Sequence, residues 1–273
     1  MHFHFPLTAA AALWTLTFAA LLVLLVVLLG RDRARRFPWF TASIVLTALR
    51  LLTSRLLFGR MAPITLSAIA VMLIDVTAVV SVLVVVEMAR QGFDSASRRA
   101  WNVSAVVMVA VSLGIVIAWG PWPAWKTISE VSVLGALRFM QLVAQKGNLL
   151  ADLLVFELGI MMALFGRRYK AGWRSHTQRL VIGLSVAALS QIAVEVLWRE
   201  ITMHARPRNL TDYQHIMGLQ EKLFSANSTV YLAVLVWWIA CLWKDEPGAP
   251  ANGETIAELP PAAAGPSAPA QGN

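Results

Sequence analysis

Charge is what this chain has least of. Only 14% of its 273 residues are charged, 58% are hydrophobic, and the mean hydropathy is +0.65. Soluble domains carry about 25% charged residues, so the composition excludes a soluble enzyme and describes a membrane protein. Cysteine is nearly absent. The single Cys241 lies inside an apolar run, where it can form no intramolecular disulfide and reads as a small buried hydrophobe. Lysine is scarce too, and Lys126, Lys146, Lys170, Lys222 and Lys244 all fall in connections or at run edges, which excludes a retinal Schiff base in the last span. No apolar run holds a histidine. His2, His4, His176, His204 and His215 lie outside the spans, so an intramembrane haem would find no axial imidazoles. Four of them, with Met203 and Met217, sit on separate loops and an N-terminal leader, which speaks against a metal site. Gly-x-Ser-x-Gly, His-Glu-x-x-His, the paired Asp motif of phospholipid synthases and the Gly-x-Gly-Asp of intramembrane proteases are missing. The expectation is a protein without enzymatic activity, without a cofactor and without nucleic acid as a partner.

What is present is a set of seven apolar runs, at about 9–30, 39–59, 64–88, 101–119, 148–166, 179–200 and 226–243. A helix needs roughly 20 residues to cross about 30 Å of hydrocarbon. These runs predict an all-α, seven-transmembrane-helix bundle over residues 1–245, with a disordered cytoplasmic tail at 246–273, where 18 of 28 residues are Pro, Ala or Gly. The leader Met1 to Thr8 carries no Lys or Arg, so the first run is expected to remain as a helix and not to be removed as a signal. The connections after runs 1, 3 and 5 and the tail hold 13 Lys and Arg, and the opposite connections hold eight. By the positive-inside rule this predicts the N-terminus outside and the C-terminus cytoplasmic.

Two outer connections are longer than turns. Residues 120–147 open with Pro121 and Pro123 among Trp119, Trp122 and Trp125, then space Ile128, Val131, Leu134, Leu137 and Met140 helically, which predicts an interfacial helix at about 124–146. A short helix is expected around 211–224, after Pro207 and Asn209.

Ionisable residues inside spans are costly in hydrocarbon and mark sites or structural pairs. Counting from the midpoints of the runs places Arg50, Asp75 and Glu157 near the midplane with Ser190 and Gln191, and Arg55, Asp152 and Glu195 about a turn and a half further out with Asn227 and Tyr231. Two readings stay open. In one, these charges pair across helices and fix register, Arg50 with Asp75 first. In the other, four carboxylates exceed two arginines, and the surplus binds protons or a cation. Arg50 and Arg55, like Asp152 and Glu157, lie about 140° apart around their helices, so each pair must look in two directions. Glu87, beside Arg90, reads as a surface residue.

Three segments carry a resemblance. Arg35-Arg36-Phe37-Pro38-Trp39-Phe40, Phe165-Gly166-Arg167-Arg168-Tyr169 with Trp173-Arg174, and Tyr231-Leu232 through Trp237 to Leu242-Trp243-Lys244 are similar to the aromatic and basic punctuation of an uncharacterised seven-helix inner-membrane family of acidobacterial type. That family resembles in turn the seven-helix input regions of bacterial sensor kinases. The resemblance implies a multi-pass protein of the bacterial inner membrane. Physically, Arg35, Arg36, Arg167, Arg168 and Arg174 suit anionic headgroups, so the bilayer itself is the first partner. The expected function is a sensor-like or scaffold protein with a buried charged core and a protein partner to receive its signal. The alternative is a proton- or cation-coupled transporter that carries on Glu157, Asp152 and Asp75, with Arg50 and Arg55 as gates.

Overall fold

The computed structural model describes residues 9–57, 61–93, 98–119, 122, 133–165, 175–205 and 209–244. Seven helices make up the described residues: α1 (Ala9–Gly30), α2 (Pro38–Leu56), α3 (Pro63–Gly92), α4 (Arg98–Ala118), α5 (Val133–Phe165), α6 (His176–His204) and α7 (Leu210–Trp243). Five of them, α1, α3, α5, α6 and α7, are long and apolar enough to cross a membrane. The other two fall short for visible reasons: Arg50 and Arg55 lower the hydropathy of the 19-residue α2, and the apolar part of α4 is the 17 residues Asn102–Ala118. Leu, Val and Ile side chains stay exposed along the helices, among them Leu16, Val26, Val79, Val106, Leu164 and Val236. Such a surface suits lipid and not water.

Two expected elements merge with their neighbours. From Val133 the segment anticipated as an interfacial helix is continuous with the fifth apolar run, in a single helix of 33 residues. Residues 211–224 likewise belong to the 34-residue α7. At about 1.5 Å per residue each helix is near 50 Å long, well beyond the hydrocarbon. No proline or glycine pair interrupts either one at the expected junction, so the backbone ladder runs through. The tail at 246–273, residues 123–132, and Arg167, Arg168 and Arg174 lie outside the described residues.

Consecutive helices run antiparallel. α1, α2, α3, α5, α6 and α7 pack in a ring, with α3 touching α6 across it and α4 lying outside against α5. α3 and α5 are parallel, because Gly147 opposes Ala78 at one level and Met162 opposes Gly92 at another. One end of the ring is tightly packed. The main core joins Leu21 to Leu28 of α1, Phe40 to Ala48 of α2, Val84 to Ala89 of α3, Leu154 to Met162 of α5, Leu180 to Ala188 of α6 and Val234 to Leu242 of α7. All of these lie in the half nearest the arginine-rich α1–α2 connection. Phe40 meets the Trp238 ring edge-on at 5.1 Å, and the Trp238 indole lies so close to Gly183 that any side chain there would displace it. The other half holds a smaller cluster, Val116, Leu149 and Leu153 between α4 and α5, with Val71, Ala78, Ala144 and Val194 also buried.

Helix ends at the packed end are closed by side chains from other helices. α1 stops in a Schellman turn, where Asp32 takes φ 53°, Arg33 N–H donates to Leu28 O at 2.9 Å and Asp32 N–H to Leu29 O at 3.2 Å. α2 starts on Pro38 with no cap from its own sequence. Instead Glu87 of α3 accepts from the backbone N–H of Trp39 at 3.2 Å and of Phe40 at 2.9 Å. Glu87 is therefore not a surface residue: it is 8% exposed, held inside because α2 presents unpaired N–H groups and the positive end of its dipole. Gln91, one turn on, donates to Arg36 O at 2.6 Å and accepts from Thr177 of α6 at 3.3 Å. His176 is not in a loop either. It is the first residue of α6, 2% exposed, and Arg33 donates to its Nε2 at 2.5 Å while donating to Lys244 O at 2.8 Å.

Replacing Glu87 by Ala leaves two buried donors unpaired, at a cost of about 1–3 kcal/mol. The melting temperature of Glu87→Ala in detergent is expected to fall well below that of Glu87→Gln, which keeps one acceptor. Equal melting of both variants and the unaltered protein would show that the cap contributes nothing.

Candidate functional site

The side chains expected to form a charged core do not pair as expected. Among the described residues no ion pair joins Arg50 or Arg55 to a carboxylate, and the Arg50–Asp75 pair is not formed. Helix geometry gives the reason. Glu87 faces α2, and Asp75, twelve residues earlier, sits about 120° around the helix. It shares a flank with Ala78, which meets Gly147 of α5. Asp75 Oδ1 is buried there without a hydrogen bond.

The five-residue spacings resolve in two directions each. Arg50 lies near enough to Tyr231 of α7 for its charge to act on the phenol, and the Tyr231 hydroxyl lies against Thr47. Arg55 turns to α1 and sits over the Trp14 ring at 5.7 Å. Asp152 lies within electrostatic reach of Glu195 of α6. Glu157 turns to Ser112 of α4, outside the ring; the two are not in hydrogen-bonding geometry, so Glu157 Oε2 and Ser112 Oγ are both buried without a partner.

A second polar cluster was not legible as such. Lys146 and Arg199 belong by sequence to the outer basic count, yet both act electrostatically on Glu195, which in turn acts on Asp152. Lys146 donates through Nζ to Trp119 O, just past the end of α4, and lies 4.6 Å from the centre of the Trp122 ring. Arg199 covers the Trp119 ring at 5.3 Å. Two cations and two indoles thus gather at the loose end of the α4–α5–α6 wedge, with Glu195 within their electrostatic reach. The clustering of Trp119 and Trp122 just before α5 was the available signal, since indole faces attract cations.

The remaining polar residues form one layer. Ser190 donates to Asn227 Oδ1 at 2.8 Å, and Asn227 donates to Gln191 Oε1 at 2.6 Å. Asn227 and Tyr231 are four apart and share a face of α7, so they join Ser190 and Gln191 at one level instead of lying further out. The Phe40, Glu87, Leu180 and Trp238 contacts set a common reference. Counting from it at 1.5 Å per residue puts Arg50, Asp75, Ser190, Asn227 and Tyr231 about 10 to 18 Å along the axis. Four helices of the ring contribute to this layer. It lies where the main core ends. Neither a protein-family model, nor a curated protein, nor a solved structure matches the chain.

The Lys146 cluster generates a double-mutant test. Lys146→Ala leaves Glu195 and Asp152 facing each other with one cation fewer, so its melting temperature is expected to drop; adding Glu195→Gln should recover part of the loss, because the orphaned charge is removed. Strictly additive losses would show that Lys146 and Glu195 do not interact.

Proposed function

We propose that the chain is a non-enzymatic, sensor-like protein that crosses the membrane seven times, with the arginine-rich end cytoplasmic. Under this reading α2 and α4 complete the crossing, since each is packed on a longer apolar helix. Short connections rich in arginine at one end supply the orientation. The resemblance to inner-membrane and sensor-input families points the same way, with the inner membrane of a bacterium as the location and a protein partner as the receiver.

A single observation carries the sensor reading: α6 belongs to both polar networks. Glu195 and Arg199 stand in the Lys146–Trp119 cluster, while His176 and Thr177 on the same helix hold Arg33 and Gln91 at the other end. Eighteen residues separate Glu195 from Thr177, about 27 Å of continuous helix. A ligand that rearranges the loosely packed half moves α6 as a rigid element, and the hydrogen bonds at the arginine end are where that movement is read. Coupling of this kind requires that α6 have two arrangements which both ends bias.

A specific observation favours a second reading, that of a proton- or cation-coupled transporter. Asp75 Oδ1 and Glu157 Oε2 are buried without partners, and carboxylates so placed bind protons or cations.

For the sensor, spin labels on Arg35→Cys and Val186→Cys, in a Cys241→Ala background, report the distance between the α1–α2 connection and α6. Glu195→Gln is expected to shift or broaden that distance in nanodiscs, and the thiol introduced by Arg35→Cys should label only from the cytoplasmic side. An unchanged distance overturns the relay, and labelling from outside overturns the orientation. For the transporter, Glu157→Gln should fold normally and abolish a pH-gradient-driven flux in proteoliposomes. Undiminished flux removes Glu157 from any such mechanism.

A further inference from the structure

α4 is the one helix among the described residues that touches a single neighbour, α5. The flank it turns to that neighbour steps by four residues, from Met108 in the main core through Ser112 to Val116, which packs with Leu149 and Leu153 of α5. Ser112 is 0% exposed. On α5 the facing flank also steps by four, from Leu149 and Leu153 to Glu157. Because the two helices are antiparallel, Val116 opposite Leu149 and Leu153 brings Ser112, one turn back along α4, level with the turn that ends in Glu157. The hydroxyl and the carboxyl share one seam, and Ser112 Oγ and Glu157 Oε2 are both buried there without a hydrogen bond.

Among the described residues no ion pair reaches Glu157. The helices around it explain why: α4 has no charged residue between Arg99 and its end at Ala118, α6 has none between Arg179 and Glu195, and α3 has none between Asp75 and Glu87. Those at the edges of these gaps are placed elsewhere. Glu87 holds the start of α2, and Asp75 sits on the flank of α3 that meets α5 at Gly147, about 15 Å along α5 from Glu157. Asp152 lies within electrostatic reach of Glu195, while Lys146 and Arg199 are engaged with Trp119 at the loose end. The rest of the seam is hydrocarbon, from Met108, Val116, Leu153 and Leu158. A hard metal cation takes about six or more oxygen ligands, and this seam offers one carboxyl and one hydroxyl. Among the described residues no three acidic, histidine or cysteine side chains gather to hold a metal. A proton needs only the carboxyl.

We propose that Glu157 and Ser112 form a reversible proton-binding site in the α4–α5 seam, with the serine hydroxyl serving both states of the acid. A hydroxyl is donor and acceptor at once. With the proton bound, the Glu157 carboxyl donates to Ser112 Oγ; with the proton gone, the Ser112 hydroxyl donates to the carboxylate. Either bond removes both orphaned atoms at the cost of a side-chain rotation, which an alanine or a leucine at position 112 would not allow. An acid without such a partner would be held in one state by its apolar surroundings. The site deepens the transporter reading by naming its ion, and it rests on that reading only for the claim that the proton moves onward.

The test is infrared difference spectroscopy of the full chain in phosphatidylcholine nanodiscs, between acidic and alkaline buffer. A carboxylic-acid C=O band is expected in acid, lost in base and missing from Glu157→Gln. Ser112→Ala should shift that band to the frequency of a carboxyl with no hydrogen bond, and Ser112→Thr, which keeps the hydroxyl, should leave it in place. The Ser112 pair decides the assignment even if Glu157→Gln does not fold. A Glu157 band present at both extremes makes the residue a permanently neutral structural acid, and no Glu157 band at either makes it a permanent ion; each result overturns the proposal. So does a band that sodium removes at constant pH, because the ligand is then a metal cation, and so does a band unmoved in Ser112→Ala. A titrating Glu157 band with undiminished flux in Glu157→Gln keeps the proton site and overturns transport. Abolished flux with no titrating band overturns the site and leaves the transporter reading with a different ion.

Discussion

The ends of the helices are the constraint from which the rest of this structure follows. Each helix leaves four N–H or four C=O groups unpaired at an end, and near an apolar bilayer there is little water to take them up. Here the partners come from neighbouring helices. The Glu87 carboxylate accepts from the start of α2, Gln91 donates to the connection that precedes it, Lys146 reaches the end of α4, and Arg33 closes α7. Each of these bonds ties two or three helices together at a defined level. Together they fix where α2, α6 and α7 sit relative to α3 and the α1–α2 connection. Among the described residues Glu87, Lys146 and Arg33 are engaged with backbone, and Arg55 and Arg199 with indole.

That assignment accounts for the unequal packing along the axis. The end where Glu87, Gln91, Arg33 and His176 lock the helices is also where Phe40, Trp238, Leu180, Leu235 and Leu242 form a continuous core. Gly183 lets the Trp238 indole approach α6, and its Nε1 donates to Leu180 O at 3.3 Å. Beyond Ala48 on α2 and before Val234 on α7 the same helices bury almost nothing. Polar side chains take over there, and neutral hydrogen bonds replace tight packing. A bundle that is rigid at one end and loosely joined at the other can change its open half at small cost in free energy, because the regions that move are those with few buried contacts.

The apolar runs were legible, because a stretch of about 20 residues without charge has few alternatives to a helix. The boundaries drifted where polar sequence continued a helix: residues 133–147 and 210–225 carry enough Lys, Glu and Asn to look like connections, yet nothing in them breaks the backbone ladder. The charged positions Arg50, Asp75, Asp152, Glu157 and Glu195 were found by their depth alone. Their partners were not, because the direction of a side chain depends on which helices are neighbours. Asp75 looks at α5 and Glu87 at α2 only because α3 lies between those two helices.

What the sequence determined by itself is the class of the protein: helical, apolar along its length, with arginine gathered at one end of the runs and a few ionisable residues deep inside them. These properties are local, being sums over neighbouring residues, and no tertiary contact alters them. The tertiary structure alone decided what each inner charge does, because the order of helices around the ring is not encoded in any one of them. It turned Glu87 and Lys146 into caps for helices other than their own, sent Arg55 to Trp14, and left Arg50 without an ion pair among the described residues.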